Sequence, residues 1–163
     1  IQTVSGEVDI EDLIPRTDCV ITMTQYGYIK RMPADTYRSQ KRGGRGIMGM
    51  TRREEDFVND LFASSTHDYI LFFTDKGRMF RMKGYEIPEA SRTGKGINIV
   101  NLLQLDQGEK VTSTIKLTEL EEDKLLCMVT SCGVIKRTAL ANFKNIRKGG
   151  LIAINLDFWR CDL

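Results

Sequence analysis

No apolar run in these 163 residues approaches the ~20 needed for a membrane-spanning helix. No membrane partner is therefore expected. The opening, IQTVSGEVDIED, lacks the basic and apolar regions of a secretory leader. It also lacks a starting Met, so the chain reads as a piece of something longer. The four cysteines, Cys19, Cys127, Cys132 and Cys161, form no C-x-x-C pair, and His67 is the single histidine. A structural zinc centre wants four such ligands in close pairs, so no metal site is expected. Cys19 and Cys127 sit in apolar runs and read as small core residues, with reduced thiols and a cytoplasmic setting.

Catalytic signatures are equally scarce. GRGIMG (44–49) has the G-x-G-x-x-G spacing, but the charged YRSQKRG precedes it where a dinucleotide site needs a buried strand. There is no G-x-x-x-x-G-K-[ST], and no local pattern joins Cys132 to His67 as nucleophile and base. His67 reads as an inter-strand turn residue. The acidic runs 54–56 and 121–124 lack the glycine of a calcium loop and read as solvated connectors. No catalytic residue is assigned.

What is present is segregated charge. The net charge is only +2, yet residues 25–53, 76–96 and 136–148 hold 19 of the 24 cations and 3 of the 22 acids. Such clustering builds a local field that the total conceals. The densest part is RSQKRGGRGIMGM (38–50), with four cations and four glycines.

The three basic windows mark a repeat. VITMTQYGYIKRM from Val20, ILFFTDKGRMFRM from Ile70 and LCMVTSCGVIKRT from Leu126 share one plan. An apolar run ends in Thr (Thr24, Thr74, Thr130), and Gly follows three residues later (Gly27, Gly77, Gly133). A strand ending in basic residues completes each unit. Downstream come GGRGI (43–47), TGKGI (93–97) and RKGGL (147–151). Short apolar runs bounded by turn residues, rich in Val, Ile, Phe and Thr, predict strands. TDKGR predicts a hairpin, with Gly77 in the left-handed position of a bulged turn. Residues 60–67 and 109–117 supply a further strand per unit, and 117–125 is a polar connector. The expectation is all-β: a single partial, propeller-like domain over 1–163, with repeats at about 9–56, 57–108 and 109–157.

Lys30, Arg31, Arg81, Lys136 and Arg137 could be outward cations that merely block edge pairing. Three basic strands in phase, each followed by a basic glycine-rich loop, fit an anion-binding rim better. The rim residues are Lys30, Arg31, Arg38, Arg81, Lys83, Arg92, Lys95, Lys136, Arg137, Lys144, Arg147 and Lys148. Patches at repeat spacing suit a long polyanion such as duplex DNA, which rewards many phosphate contacts. The glycines are expected to let backbone N–H groups approach phosphates. No recognition helix or aromatic ladder is evident, apart from Tyr26, Tyr28 and Tyr37 near the first patch, so the expected binding is sequence-tolerant and suited to bent DNA.

QKRGGRG (40–46) resembles the seven-residue basic box of the C-terminal DNA-wrapping domain of bacterial DNA gyrase A. The flanks GYIKRMPADTYRSQKRGGRGIMGM, STHDYILFFTDKGRMFRMKGYEIPEASRTGKG and EEDKLLCMVTSCGVIKRT resemble the same domain, from about Asp9 to Asp157. The resemblance implies a β-pinwheel, usually of six blades, with DNA bent around its basic rim. It implies that Gln40, Lys41, Arg42, Gly43, Gly44, Arg45 and Gly46 form the wrapping box, and that wrapping supports ATP-dependent negative supercoiling by the whole topoisomerase. The cleaving tyrosine belongs to another part of the gyrase A polypeptide, so this chain is expected not to cut DNA. No cofactor is expected here; ATP and Mg²⁺ serve other parts of the parent enzyme. Its partners would be duplex DNA, the rest of gyrase A and the gyrase B protein, at the bacterial nucleoid. The related topoisomerase IV domain is the alternative, disfavoured by the intact box. A propeller-type module docking acidic proteins is the alternative from another class. The last residues, 158–163, do not resemble the family. Either that tail caps the array, through Phe158 and Trp159, or two copies pair.

Overall fold

The computed structural model describes residues 10–37 and 57–156. Ten strands occur among them: β1 (Asp18–Thr24), β2 (Tyr28–Pro33), β3 (Val58–Ser65), β4 (Tyr69–Thr74), β5 (Arg78–Lys83), β6 (Ile97–Asn98), β7 (Val111–Leu117), β8 (Leu125–Val129), β9 (Ile135–Ala139) and β10 (Leu151–Ile152). The strand pairs are antiparallel, and the described residues include short 3-10 turns but no α-helix.

The recurring Thr-x-x-Gly is the hairpin turn itself. The amides of Gly27, Gly77 and Gly133 donate to the carbonyls of Thr24, Thr74 and Thr130 at 2.9–3.0 Å. Each glycine has φ between +75° and +80°, which a residue with a Cβ adopts only under strain. Each threonine hydroxyl accepts the next free amide: Tyr28 N at 3.1 Å, Arg78 N at 3.2 Å and Val134 N at 3.1 Å. Thr and Gly are therefore two halves of one turn, which accounts for their fixed spacing. His67 lies in the turn between β3 and β4, as its sequence context implied.

The sheets are built across repeats. The first has the order β3-β1-β2-β6 and the second β7-β4-β5-β10, while β8 and β9 form a two-stranded third. The hairpin β1–β2 thus takes its two outer strands, β3 and β6, from the second repeat. The hairpin β4–β5 takes β7 and β10 from the third. The returning segments also grip the hairpin turns: Ile99 N donates to Gly27 O at 2.8 Å, and Ala153 N to Gly77 O at 2.9 Å.

The sheets stack through alternating side chains. Cys19, Ile21, Met23 and Ile29 of the first sheet pack with Ile70, Phe72 and Phe80 of the second. The intervening positions on the second sheet, Leu71 and Met79, face the other way. They join Leu126, Leu140, Phe143 and Ala153. Because neighbouring strand residues point to opposite faces, a sheet buried on both sides shows an unbroken apolar run, as ILFF (70–73) does. Full burial of each such side chain contributes about 1.5–3 kcal/mol. Among the described residues, the third sheet is covered on one face only. Cys127, expected in the core, is exposed. It occupies the position of Ile21 and Leu71, but on the uncovered face.

Candidate nucleic-acid interface

The second and third basic loops enter at the same edge of successive sheets, each just before the short strand that closes that edge. Arg92 and Lys95 precede β6, which pairs with β2 through Tyr28–Asn98 and Ile29–Ile97. Lys144, Arg147 and Lys148 precede β10, which pairs with β5 through Arg78–Ile152 and Met79–Leu151. Two glycines permit this docking. Gly96 has φ +82°, and a Cβ there would lie 2.4 Å from the Ile29 carbonyl oxygen. Gly150 has φ +76°, and a Cβ would lie 2.8 Å from the Phe80 ring. Their structural role is close approach to the preceding sheet.

The expected rim cations fall into two groups. Several are consumed internally. Lys30 is fully buried, and its Nζ donates to the carbonyls of Ser91 at 3.0 Å and of Arg92 and Gly94 at 2.9 Å. Placing Lys30 on the rim is thus corrected: its charge lies inside, because the loop folds over it. Arg31 Nε donates to Ile87 O at 3.2 Å and Nη1 pairs with Glu89 at 3.4 Å. Arg81 Nη1 donates to Phe143 O at 3.1 Å and Lys144 O at 2.6 Å. Lys83 Nζ meets Glu11 at 2.7 Å, His67 O at 3.2 Å and the Tyr69 ring at 3.8 Å. Lys136 donates to Ala153 O at 2.7 Å, and Lys144 pairs with Glu122 at 2.5 Å.

The second group is exposed and unspent. Among the described residues, Arg92, Arg137, Arg147 and Lys148 are exposed and make no ion pair or side-chain hydrogen bond. Lys95 is exposed, with Nζ 3.7 Å from the centre of the Tyr28 ring, which orders the side chain without neutralising it. Beside the third loop opens a cleft of about 520 Å³ walled by Tyr69, Arg81, Lys83, Arg147 and Lys148, with Glu11 at its side. Arg38 and the box residues Gln40, Lys41, Arg42, Gly43, Gly44, Arg45 and Gly46 lie outside the described residues.

The electrostatics follow the partners. Burial pushes the Lys30 ammonium below its ordinary value. Even so, three carbonyl acceptors require three N–H donors, which only the charged form supplies. Burial also opposes the charge of Lys83, but Glu11 and the Tyr69 hydroxyl outweigh it and hold that ammonium above its usual range. Lys144 holds the Glu122 carboxyl below its usual range. No cluster of His, Cys, Asp and Glu suited to a metal ion occurs among the described residues.

A family profile described as "DNA gyrase C-terminal domain, beta-propeller" matches residues 20–65, 68–118 and 124–157. The chain belongs to the DNA gyrase C-terminal domain family. The DNA gyrase A protein of Clostridium acetobutylicum is 57% identical over 157 residues, which is 96% of this chain and 19% of that protein. Its namesake from Halalkalibacterium halodurans is 59% identical over 146 residues, 90% of this chain and 18% of that protein. The chain thus spans about a fifth of these relatives. Among solved structures, a C-terminal domain of DNA topoisomerase IV superposes with TM-score 0.73 at 26% identity, covering 88% of this chain and 43% of that one. A DNA gyrase A C-terminal domain superposes with TM-score 0.67 at 27% identity, covering 85% and 43%.

Sequence reasoning about this gyrase-family domain missed the interior work of its cations. Arg78 was not assigned to any site, yet Nη1 pairs with buried Glu109 at 2.8 Å and Nη2 donates to Gly149 O at 2.5 Å. A signal for Lys30 was available. When the repeats are aligned on their glycines, Lys30 falls at the position of Phe80. Phe80 marks this position as interior in the second repeat, and Lys30 is buried at it in the first, while Lys136 at the same position of the third is exposed.

Proposed function

We propose that this gyrase-family domain binds duplex DNA without base readout and bends it along the edge that carries the basic loops. The observation that supports this most is the recurrence of unspent cations on loops held at one edge of successive sheets: Arg92 and Lys95, then Arg147 and Lys148. Unpaired exposed cations at repeat spacing suit a polymer of phosphates, whose counterions they would release. The box cations Lys41, Arg42 and Arg45, which belong to the first repeat by sequence, would add further phosphate contacts. In the parent enzyme, the bent segment supports ATP-dependent negative supercoiling together with gyrase B and the rest of gyrase A, at the bacterial nucleoid. The fragment itself neither cuts DNA nor uses a cofactor.

The gyrase reading is favoured over topoisomerase IV by the intact QKRGGRG and by relatives named as gyrase A at 57–59% identity. The test is ring closure of short duplexes in the presence of the chain. Bending is expected to accelerate closure, and binding is expected to tighten with duplex length. Binding that is independent of length, with no effect on closure, would refute the reading and favour a protein-docking module.

A further inference from the structure

The Lys30 side chain, buried in one repeat, touches the backbone of the next repeat's basic loop. Its ammonium meets three carbonyls, from Ser91, Arg92 and Gly94, at 2.9–3.0 Å. Those carbonyls must converge for this, so the turn 91–94 is wrapped around Nζ. A further bond closes the same turn: Gly94 N donates to Ser91 O at 3.0 Å. Two residues earlier on the same face of β2, Tyr28 supports Lys95, and the Ile29 carbonyl lies against Gly96. Three consecutive residues, Tyr28, Ile29 and Lys30, thus form the mould for 91–97. Comparable bracing holds the third loop, where Arg78 takes the Gly149 carbonyl and Arg81 those of Phe143 and Lys144.

We propose that Lys30 is a positioning residue: a buried cationic clamp that shapes the second repeat's loop so that Arg92 and Lys95 face the DNA phosphates. The inference rests on the DNA-binding reading above. It divides the basic residues by task. Interior cations neutralise loop carbonyls, which turns the negative ends of those peptide dipoles inward. Exterior cations are left for phosphate. A loop whose carbonyls turned outward would present oxygen to a polyanion and weaken the contact. The clamp also couples the repeats, because a phosphate contact in the second depends on a side chain of the first.

Acylation of lysines by acetic anhydride, with and without a 40-base-pair duplex and read by mass spectrometry, separates the parts of this inference. The clamp predicts Lys30 unreactive in both conditions and Lys95 reactive alone but protected by DNA. A Lys30 that reacts in the free chain overturns the clamp, whether or not DNA then protects it. A Lys95 equally reactive in both conditions overturns the loop's DNA contact and leaves the clamp standing. In a second arm, Lys30→Met should raise hydrogen exchange in 91–98 and lower the salt-dependence slope of binding by about 1.8, as Arg92→Ala with Lys95→Ala does at about 0.9 per phosphate. Added to that double variant, Lys30→Met should change the slope no further. A further fall of about 0.9 would make Lys30 itself a phosphate contact and overturn the positioning role.

Discussion

Replacing Arg92, Lys95, Arg147 and Lys148 together by Ala removes four exposed cations that carry no internal ion pair. If each meets one phosphate, the slope of log K against log salt should fall by about 3.6, at about 0.9 per contact. Between 0.05 and 0.2 M salt, that slope difference corresponds to roughly a hundredfold less variation in affinity. Folding should change little, since the only packing lost is the Lys95 contact with Tyr28. The control is Arg31→Ala, which leaves the braces of both basic loops in place. Its side chain holds the Ile87 carbonyl and pairs with Glu89. Its loss should cost about 1–3 kcal/mol per unsatisfied group and leave the number of phosphate contacts nearly intact. Fluorescence anisotropy on a labelled duplex over a salt series, with urea melts of each variant, reads both quantities. A quadruple variant with an unchanged slope would refute the division into interior and exterior cations. So would an Arg31→Ala control that flattens the slope as much as the quadruple.

Four further outcomes are expected. Lys41→Ala, Arg42→Ala and Arg45→Ala together should lower the slope by about 2 to 3, and in the parent enzyme abolish negative supercoiling while sparing ATP-driven relaxation; loss of both activities would assign the box another role. Gly96→Ala places a Cβ at φ +82° and 2.4 Å from the Ile29 oxygen, so its urea midpoint should fall by the equivalent of about 1–3 kcal/mol, and an unchanged midpoint would contradict the close approach. Because Lys83 is held above its ordinary 10.5, its stabilising contribution is complete below pH 10.5 and lost as pH rises through the raised folded value; Lys83→Met should remove that alkaline loss of stability in pH-dependent melts. The outer face of the third sheet exposes Leu125, Val129 and Ile135 at 58%, 67% and 65%, so light scattering over a dilution series should show self-association, and a monomer at every concentration would refute it.

The fold was legible where one repeat carries its own explanation. Thr24, Thr74 and Thr130 with their glycines mark hairpin turns without reference to the rest of the chain. The runs that end in Thr24 and Thr74 mark strands buried on both faces, whereas β8, ahead of Thr130, exposes alternate residues. What local sequence does not carry is the pairing between repeats. β6 and β10 are two residues each, too short to show a period, and their partners lie 68–74 residues upstream. Reading each repeat as its own sheet is the natural inference from spacing, yet no spacing records that β3 belongs beside β1.

The same blindness explains the site. Counting cations located the basic windows correctly but treated each cation as equivalent, because charge is visible in sequence and its partner is not. A lysine at a strand position can satisfy itself on carbonyls that arrive from 61–64 residues downstream. Only a comparison of aligned repeats exposes this: Lys30 sits where Phe80 sits, and Tyr28 where Arg78 sits. Each pair performs one task with different chemistry. Phe80 fills space against Gly150, and Lys30 neutralises the corresponding loop. Arg78 grips Gly149 O, and Tyr28 supports Lys95. Repeats that exchange strands need a contact from each unit to the loop of the next, and the chain meets that need with whichever side chain reaches. Residue type then varies while position is kept, so in a strand-exchanged array the alignment column identifies the bracing residues better than their charge does.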